Sequence, residues 1–230
     1  MILCAATVLE MDACLRSVGT TFQDLPLEGG TPWRRTLGKI TYALTGVGIP
    51  LTLSRLLPWL GTAGMEKPAL VLNFGIAGAY PGSGLAIGEV VAGESEVFGD
   101  LGMETPGDEA FLPLTDFAWS DEEYRAPLEL ALGPLSAGPM GVLRAARGCT
   151  VNACAGREET GKLRRALFQA DFETMEGAAV AWAGREAGIP VCELRAISNH
   201  ASTRDFRPVN VEAALHNLGV YLGGWLERNA

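Results

Sequence analysis

Four short stretches of this 230-residue sequence set polar groups where an apolar strand is expected to end, and those groups decide what chemistry is open to it. Glu10 closely follows the apolar run Ile2 to Ala6 and opens the first predicted helix. "NFGIAGA" at 73–79 carries Gly75, Ile76 and Ala77, a backbone that a ligand can approach closely because glycine has no side chain. "TMEG" at 174–177 offers Met175 and Glu176, and "RAISNHAS" at 195–202 offers Arg195, Ser198, Asn199 and His200. Two carboxylates can divide the work of general base and hydroxyl acceptor, and an asparagine amide donates and accepts side by side. Because ligands of α/β sheets lie beyond the carboxyl ends of the strands, all four stretches are expected to line one crevice.

Each stretch also has a plainer reading. Glu10 and Glu176 could simply complement the N-terminal dipoles of the helices they open, Asn199 could bond loop backbone, and "GIAG" could be a tight turn. "GIAG" is not a dinucleotide fingerprint, because GxGxxG from Gly75 needs glycine where Ala77 and Tyr80 stand; "TGVG" at 45–48 fails in the same way. His200 neighbours Asn199 on an extended chain, points the other way and is read as structural.

The elements that must position these groups follow from the apolar patterning. A strand over Ile2 to Ala6 precedes a helix from Met11 to Val18, and "KITYALTG" precedes a helix from Leu51 to Leu60. The stretch from Pro68 to Phe98 reads as a strand, a glycine-rich loop and a second strand after Gly88. Gly99 to Asp116 is polar, has two prolines and no period, and is expected to be a long functional loop. Helices are expected at Glu158 to Gln169, Gly177 to Ala187 and Val211 to Glu227, with the strand "IPVCELRAIS" between the last two. Strands alternating with helices specify an α/β fold with a parallel or mixed sheet. No linker divides the chain, so residues 1–230 are expected to form one domain.

Composition narrows the partners. A net charge of −9 argues against nucleic acid or an anionic membrane and leaves a small molecule. The five cysteines form no CxxC pair and His200 and His216 are the only histidines, so no zinc spacing exists, and neither metal nor cofactor is expected. The thiols read as reduced, which points to the cytoplasm. Residues 1–9 are apolar but lack a basic lead and are interrupted at Glu10 and Asp12, so they are not read as a signal peptide.

"NFGIAGAYPGSGLAIGEVV", "FETMEGAAVAWAGREAGIPVCELRAISN" and Glu10 together resemble the nucleoside phosphorylase and nucleosidase superfamily, nearly end to end. Within it, "GDLGMET", "CTVNACAG" and "ISN" followed by "RDF" look most like the futalosine hydrolases, which release hypoxanthine from futalosine on a route to menaquinone and are similar to methylthioadenosine/S-adenosylhomocysteine nucleosidases. The resemblance implies a three-layer α/β nucleoside phosphorylase-like fold, a central mixed sheet flanked by helices, and a homo-oligomer, most simply a dimer. It further implies that Glu10 activates water, that Met175 lies against the ribose while Glu176 accepts its hydroxyls, and that Ser198 orients Asn199 at the base. Gly75, Ile76, Ala77 and Arg195 complete the implied substrate site. The Gly-Asp-Pro-x-Arg phosphate loop of the family's phosphorylases is absent, which favours hydrolysis over phosphorolysis.

Asn199 stands where adenine-specific nucleosidases of the family carry aspartate, and its amide can donate to O6 of a 6-oxopurine; it can also pair with adenine, so both bases remain open. An amide is no acid, and the proton that reaches purine N7 needs another source. The family's base-stacking aromatic is missing from "CTVNACAG", leaving Phe206 or a partner residue for that task, and Ile76 replaces a serine of related nucleosidases. The loop from 99 to 116 is expected to meet the 5′ end of the nucleoside. An adenine-releasing nucleosidase and a non-catalytic nucleoside-binding homologue remain the alternatives.

Overall fold

The computed structural model describes residues 1–64, 66–106, 111–117, 129–135, 142–202 and 207–229. In chain order these form β1 (Ile2–Ala5), α1 (Val8–Leu15), β2 (Leu27–Glu28), β3 (Thr31–Leu37), β4 (Ile40–Leu44), α2 (Ile49–Leu60), β5 (Val71–Ala79), β6 (Val90–Phe98), β7 (Gly102–Glu104), β8 (Phe111–Pro113), β9 (Glu129–Ala131), β10 (Arg144–Thr150), α3 (Glu158–Phe168), β11 (Phe172–Thr174), α4 (Gly177–Ala187), β12 (Val191–His200) and α5 (Pro208–Asn229).

The main sheet runs β11-β10-β6-β12-β5-β1-β4-β3-β2, with β9 added to β6. It is mixed: β5 pairs in parallel with both β1 and β12, whereas β12 meets β6 antiparallel. β11, already parallel to β10, also pairs antiparallel with β5, so β5, β12, β6, β10 and β11 close into a ring. Successive side chains of a strand face opposite sides of the sheet, and β1 shows the result. Its Leu3 and Ala5 pack with Met11 and Leu15 of α1 and with Leu218 and Leu222 of α5, while Ile2 and Cys4 pack with Leu56 of α2 and Val180 of α4. Helices thus cover both faces, and the expected three layers and central mixed sheet are present.

Three elements differ from expectation, each for a physical reason. "GIAG" is not a turn. It stays inside β5, paired throughout with β12 and at Gly78 with β11 as well, and the turn comes afterwards at 80–89. The stretch from Gly99 to Asp116 is not one irregular loop, because β7 and β8 pair into a small separate sheet. β3, "TPWRRTL", gave no apolar period, since its charged face is covered by rings instead: the Arg34 guanidinium lies 5.1 Å from the Trp33 ring and 4.6 Å from that of Trp59. Phe206 and the rest of "RDF" lie outside the described residues. No helix among the described residues is long and apolar enough to cross a membrane.

Candidate active site

At the carboxyl ends of β1, β5 and β12 and beside β11, a pocket of about 260 Å³ brings the four stretches together. Glu10, Ile76, Ala77, Met175, Glu176, Ser198 and Asn199 all line it, joined by Thr7, Val47, Gly78, Cys154, Glu173 and Thr174. His200 is exposed at the end of β12 and is not on the wall.

Glu10 owes its position to a capping box. Thr7, the N-cap of α1, accepts from the Glu10 amide, and Glu10 Oε2 accepts in return from the Thr7 amide at 3.1 Å and from the Thr7 hydroxyl at 2.8 Å. That fixes the carboxylate at the helix N-terminus and turns Oε1 toward β5, where the Ile76 amide donates to it at 3.0 Å. A Cβ on Gly75 would press on both Glu10 Oε1 and Arg195 Nη1, so only glycine leaves room for the two side chains to converge there. Gly75 and Arg195 therefore stand immediately behind the wall rather than on it.

Glu176 holds the N-cap position of α4, but its side chain makes no capping hydrogen bond. The first amides of α4 are taken by threonines instead: the Gly177 amide donates to Thr174 Oγ1 at 3.2 Å and the Ala178 amide to Thr150 Oγ1 at 2.7 Å. This frees the Glu176 carboxylate to cross the pocket floor, where Oε1 accepts from the Gly48 amide at the start of α2 at 2.8 Å. Burial raises its pKa, opposed by the charge of Arg195 and the Gly48 hydrogen bond.

Behind the floor lies a buried cluster that the sequence did not reveal. The threonines that cap α4 donate hydrogen bonds from their hydroxyls to Glu96, Thr150 at 2.8 Å and Thr174 at 3.2 Å. Glu193 accepts from Asn73 at 3.1 Å and from Arg195 Nε at 2.9 Å, with Arg195 Nη2 2.8 Å from the same oxygen. Burial first, and then the charge of Glu193, push the pKa of Glu96 well up, and the two carboxyls share a hydrogen bond. Burial alone would lower the pKa of Arg195, but Glu193, Glu176, Glu96 and Glu10 outweigh it and hold the guanidinium charged. The charged form of Arg195 is thus kept beside both pocket carboxylates.

A pH prediction follows with its sign fixed. A carboxyl whose folded pKa is raised contributes stability that is full below its unfolded pKa and is lost as pH rises through the folded pKa. Glu96→Gln keeps a donor toward Glu193 but cannot titrate, so its unfolding midpoint should gain on that of the wild type as the pH rises above the ordinary carboxylate range. A constant difference above that range would mean that Glu96 is ionised throughout.

At the other end of the pocket, the His200 carbonyl accepts from Asn199 Nδ2 at 3.3 Å, which fixes which way round the amide sits, since a carbonyl cannot donate. Ser198 donates to Asn199 Oδ1 at 2.9 Å. The amide is thereby held from two sides with donor capacity left on Nδ2.

Glu173, Cys154, Val47 and Thr7 were missed as wall residues. Glu173 and Cys154 lay within motifs already singled out, "FETMEG" and "CTVNACAG", whereas Val47 follows only from the packing of the β4–α2 turn.

The profile of the Phosphorylase superfamily matches residues 2–219. A futalosine hydrolase of Thermus thermophilus is 37% identical over 179 residues, 75% of this chain and 75% of that protein. One of Streptomyces coelicolor is 36% identical over 139 residues, 59% of this chain and 56% of that protein. In three dimensions, a 5′-methylthioadenosine/S-adenosylhomocysteine nucleosidase of Helicobacter pylori, solved with butyl-thio-DADMe-Immucillin-A, superposes with a TM-score of 0.72 at 18% identity, covering 98% of this chain and 97% of that one. Matched by sequence over nearly its whole length and by fold throughout, the chain belongs to the phosphorylase superfamily.

Proposed function

We propose that this chain, acting as one nucleosidase domain over residues 1–230, hydrolyses the N-glycosidic bond of futalosine. The products are hypoxanthine and dehypoxanthine futalosine, in the futalosine route to menaquinone. The observation that carries this reading is one pocket with Glu10 and Glu176 toward one end and an amide held by Ser198 at the other, in a chain whose curated relatives are named futalosine hydrolases.

In this reading Glu10 takes a proton from water, whose oxygen forms the new bond to the anomeric carbon. The carbon–nitrogen bond breaks with its electron pair passing into the purine, which takes a proton at N7 from solvent water, and Glu10 returns its own proton to solvent afterwards. Glu176 accepts the ribose hydroxyls and, as an anion, favours the positive charge that develops on the sugar. Met175, Ile76 and Ala77 supply apolar contact, and Asn199 Nδ2 donates to O6 of the base. Arg195 and Gly75 support the two carboxylates from behind the wall.

The test is to incubate the protein with futalosine, inosine, methylthioadenosine and adenosylhomocysteine, with and without phosphate. Phosphate-independent release of hypoxanthine from futalosine is expected. Adenine release in its place, phosphate dependence, or binding without free base would each refute the reading.

Glu176→Gln preserves shape and the Gly48 contact but removes the charge. Turnover should fall about tenfold, the loss of ~1.4 kcal/mol of charge-assisted bonding, with little change in KM. A raised KM at constant kcat would contradict a role in the transition state.

All five cysteines are free, four of them buried, which fits the reducing cytoplasm. Leu9 and Val47, both 54% exposed at the pocket, suit the contact surface of a homodimer, which sedimentation at micromolar concentration would detect.

A further inference from the structure

Gly78 on β5 has Asn199 of β12 paired on one side and Glu173 of β11 on the other, so these two polar residues flank a single glycine across three adjacent strands. Both side chains lean over it: a Cβ on Gly78 would lie 3.1 Å from Asn199 Nδ2 and 3.3 Å from Glu173 Cγ. Both also line the pocket. The bare glycine between them leaves a floor on which the edge of a planar base can rest against two polar groups at once.

Glu173 is 4% exposed. The Ala155 amide donates to both carboxylate oxygens, at 3.0 and 3.1 Å, and Arg164 Nη1 approaches Oε2 at 3.4 Å while donating to the Ala153 carbonyl at 2.9 Å. Burial raises its pKa, but the Ala155 amide, the Arg164 guanidinium and a hydrogen bond from Tyr80 all favour the ionised form. An ionised carboxylate only accepts; Tyr80 and Cys154 also hydrogen-bond to it, and Cys154 shares the pocket wall, where a base edge would take its place.

Resting on the reading of the site as a 6-oxopurine nucleosidase, we propose that Glu173 is a specificity-determining residue that accepts the N1–H of the base beside Asn199. The chemistry is discriminating. Along the base edge, O6 is followed directly by N1, which carries a proton in hypoxanthine and a lone pair in adenine. With Asn199 Nδ2 donating to O6, the next group along the edge must accept. A carboxylate there attracts the oxopurine and repels the aminopurine, so one contact selects and the same contact rejects.

The experiment compares futalosine with its 6-amino and its N1-methyl counterparts, all three sharing one 5′ substituent. The wild type should cleave the 6-oxo nucleoside at least tenfold better, by kcat/KM, than either counterpart. Glu173→Gln keeps a carbonyl for the Ala155 amide and adds an NH₂ that can donate to the lone pair of adenine N1. Its ratio of 6-oxo to 6-amino cleavage should fall about tenfold, the equivalent of one charge-assisted hydrogen bond. A residue that merely held the 153–155 segment would lower both rates and leave the ratio alone, and that outcome overturns the proposal. If the variant fails to fold, the N1-methyl nucleoside decides on the wild type: undiminished cleavage overturns the proposal, and a loss of tenfold or more supports it. If the wild type releases no hypoxanthine from futalosine, the reading of the function fails first and this inference falls with it. Hypoxanthine release with an unaltered ratio in Glu173→Gln defeats Glu173 alone.

Discussion

Glu10→Gln should bind futalosine with nearly wild-type affinity and hydrolyse it about 10²- to 10⁴-fold more slowly, the usual worth of a general base. The substitution tests proton transfer because its geometry is conservative. The glutamine carbonyl can still accept from the Ile76 amide or from Thr7, which now hold Oε1 and Oε2. The neutral amide cannot take a proton from water, and it also lacks the carboxylate's charge and one of its two acceptor oxygens. Single-turnover rates at saturating substrate measure the chemical step directly. Retention of more than a tenth of the wild-type rate would exclude Glu10 as the base. A collapse of binding would instead show that its charge holds the substrate.

Asn199→Asp should move the choice of base further than any other single change in the pocket. The new carboxylate faces O6, two acceptors opposed, and a mispaired buried polar group costs about 1–3 kcal/mol, or roughly 5- to 150-fold in hypoxanthine release. An adenine nucleoside gains by the same change, because the carboxylate accepts from the exocyclic amine. The ratio of adenine to hypoxanthine release should therefore rise by roughly 30- to 10³-fold, both effects combined. Ser198 would keep donating to the side chain at 199, whereas the Nδ2 bond to the His200 carbonyl would be lost, so some loss of stability is expected as well. Competition between nucleosides that differ only at C6 measures the ratio independently of the amount of folded enzyme. An unchanged ratio would place Asn199 away from the C6 edge.

The core strands and the covering helices were legible because they obey simple periods. β1, β5 and β12 are buried on both faces and read as apolar runs, and α4 was bounded correctly by Glu176 and the glycine that ends it. β3 and β10 were not legible. Their residues, "TPWRRTL" and "RAARGCT", carry arginines whose cover comes from partners distant in sequence, as when Arg147 meets Glu129 at 3.1 Å. The convergence of Glu10, Glu176, Ser198 and Asn199 was legible through strand ends, since the topology sends the ends of β1, β5 and β12 the same way. Glu173 was not, because its side chain enters the pocket only through the antiparallel pairing of β11 with β5, a closure that no local pattern announces. Nor was the cluster of Glu96, Glu193 and Arg195: Arg195 was expected at the substrate rather than among buried carboxylates, and only the sheet buries the three together.

The closure of β11 onto β5 also sets a timetable for synthesis. β5 ends at Ala79, and its pairing with β1 can form while the chain is still short. Its other edge waits for β12, which ends at His200, about 120 residues later. At roughly 5–20 residues per second, a ribosome takes about 6–24 s to deliver that strand, and during this interval the apolar edge of β5 is bare. The half-made chain at the exit tunnel thus offers an unpaired strand that the finished protein never shows, and a holding chaperone should engage it there, letting go once residue 200 has emerged.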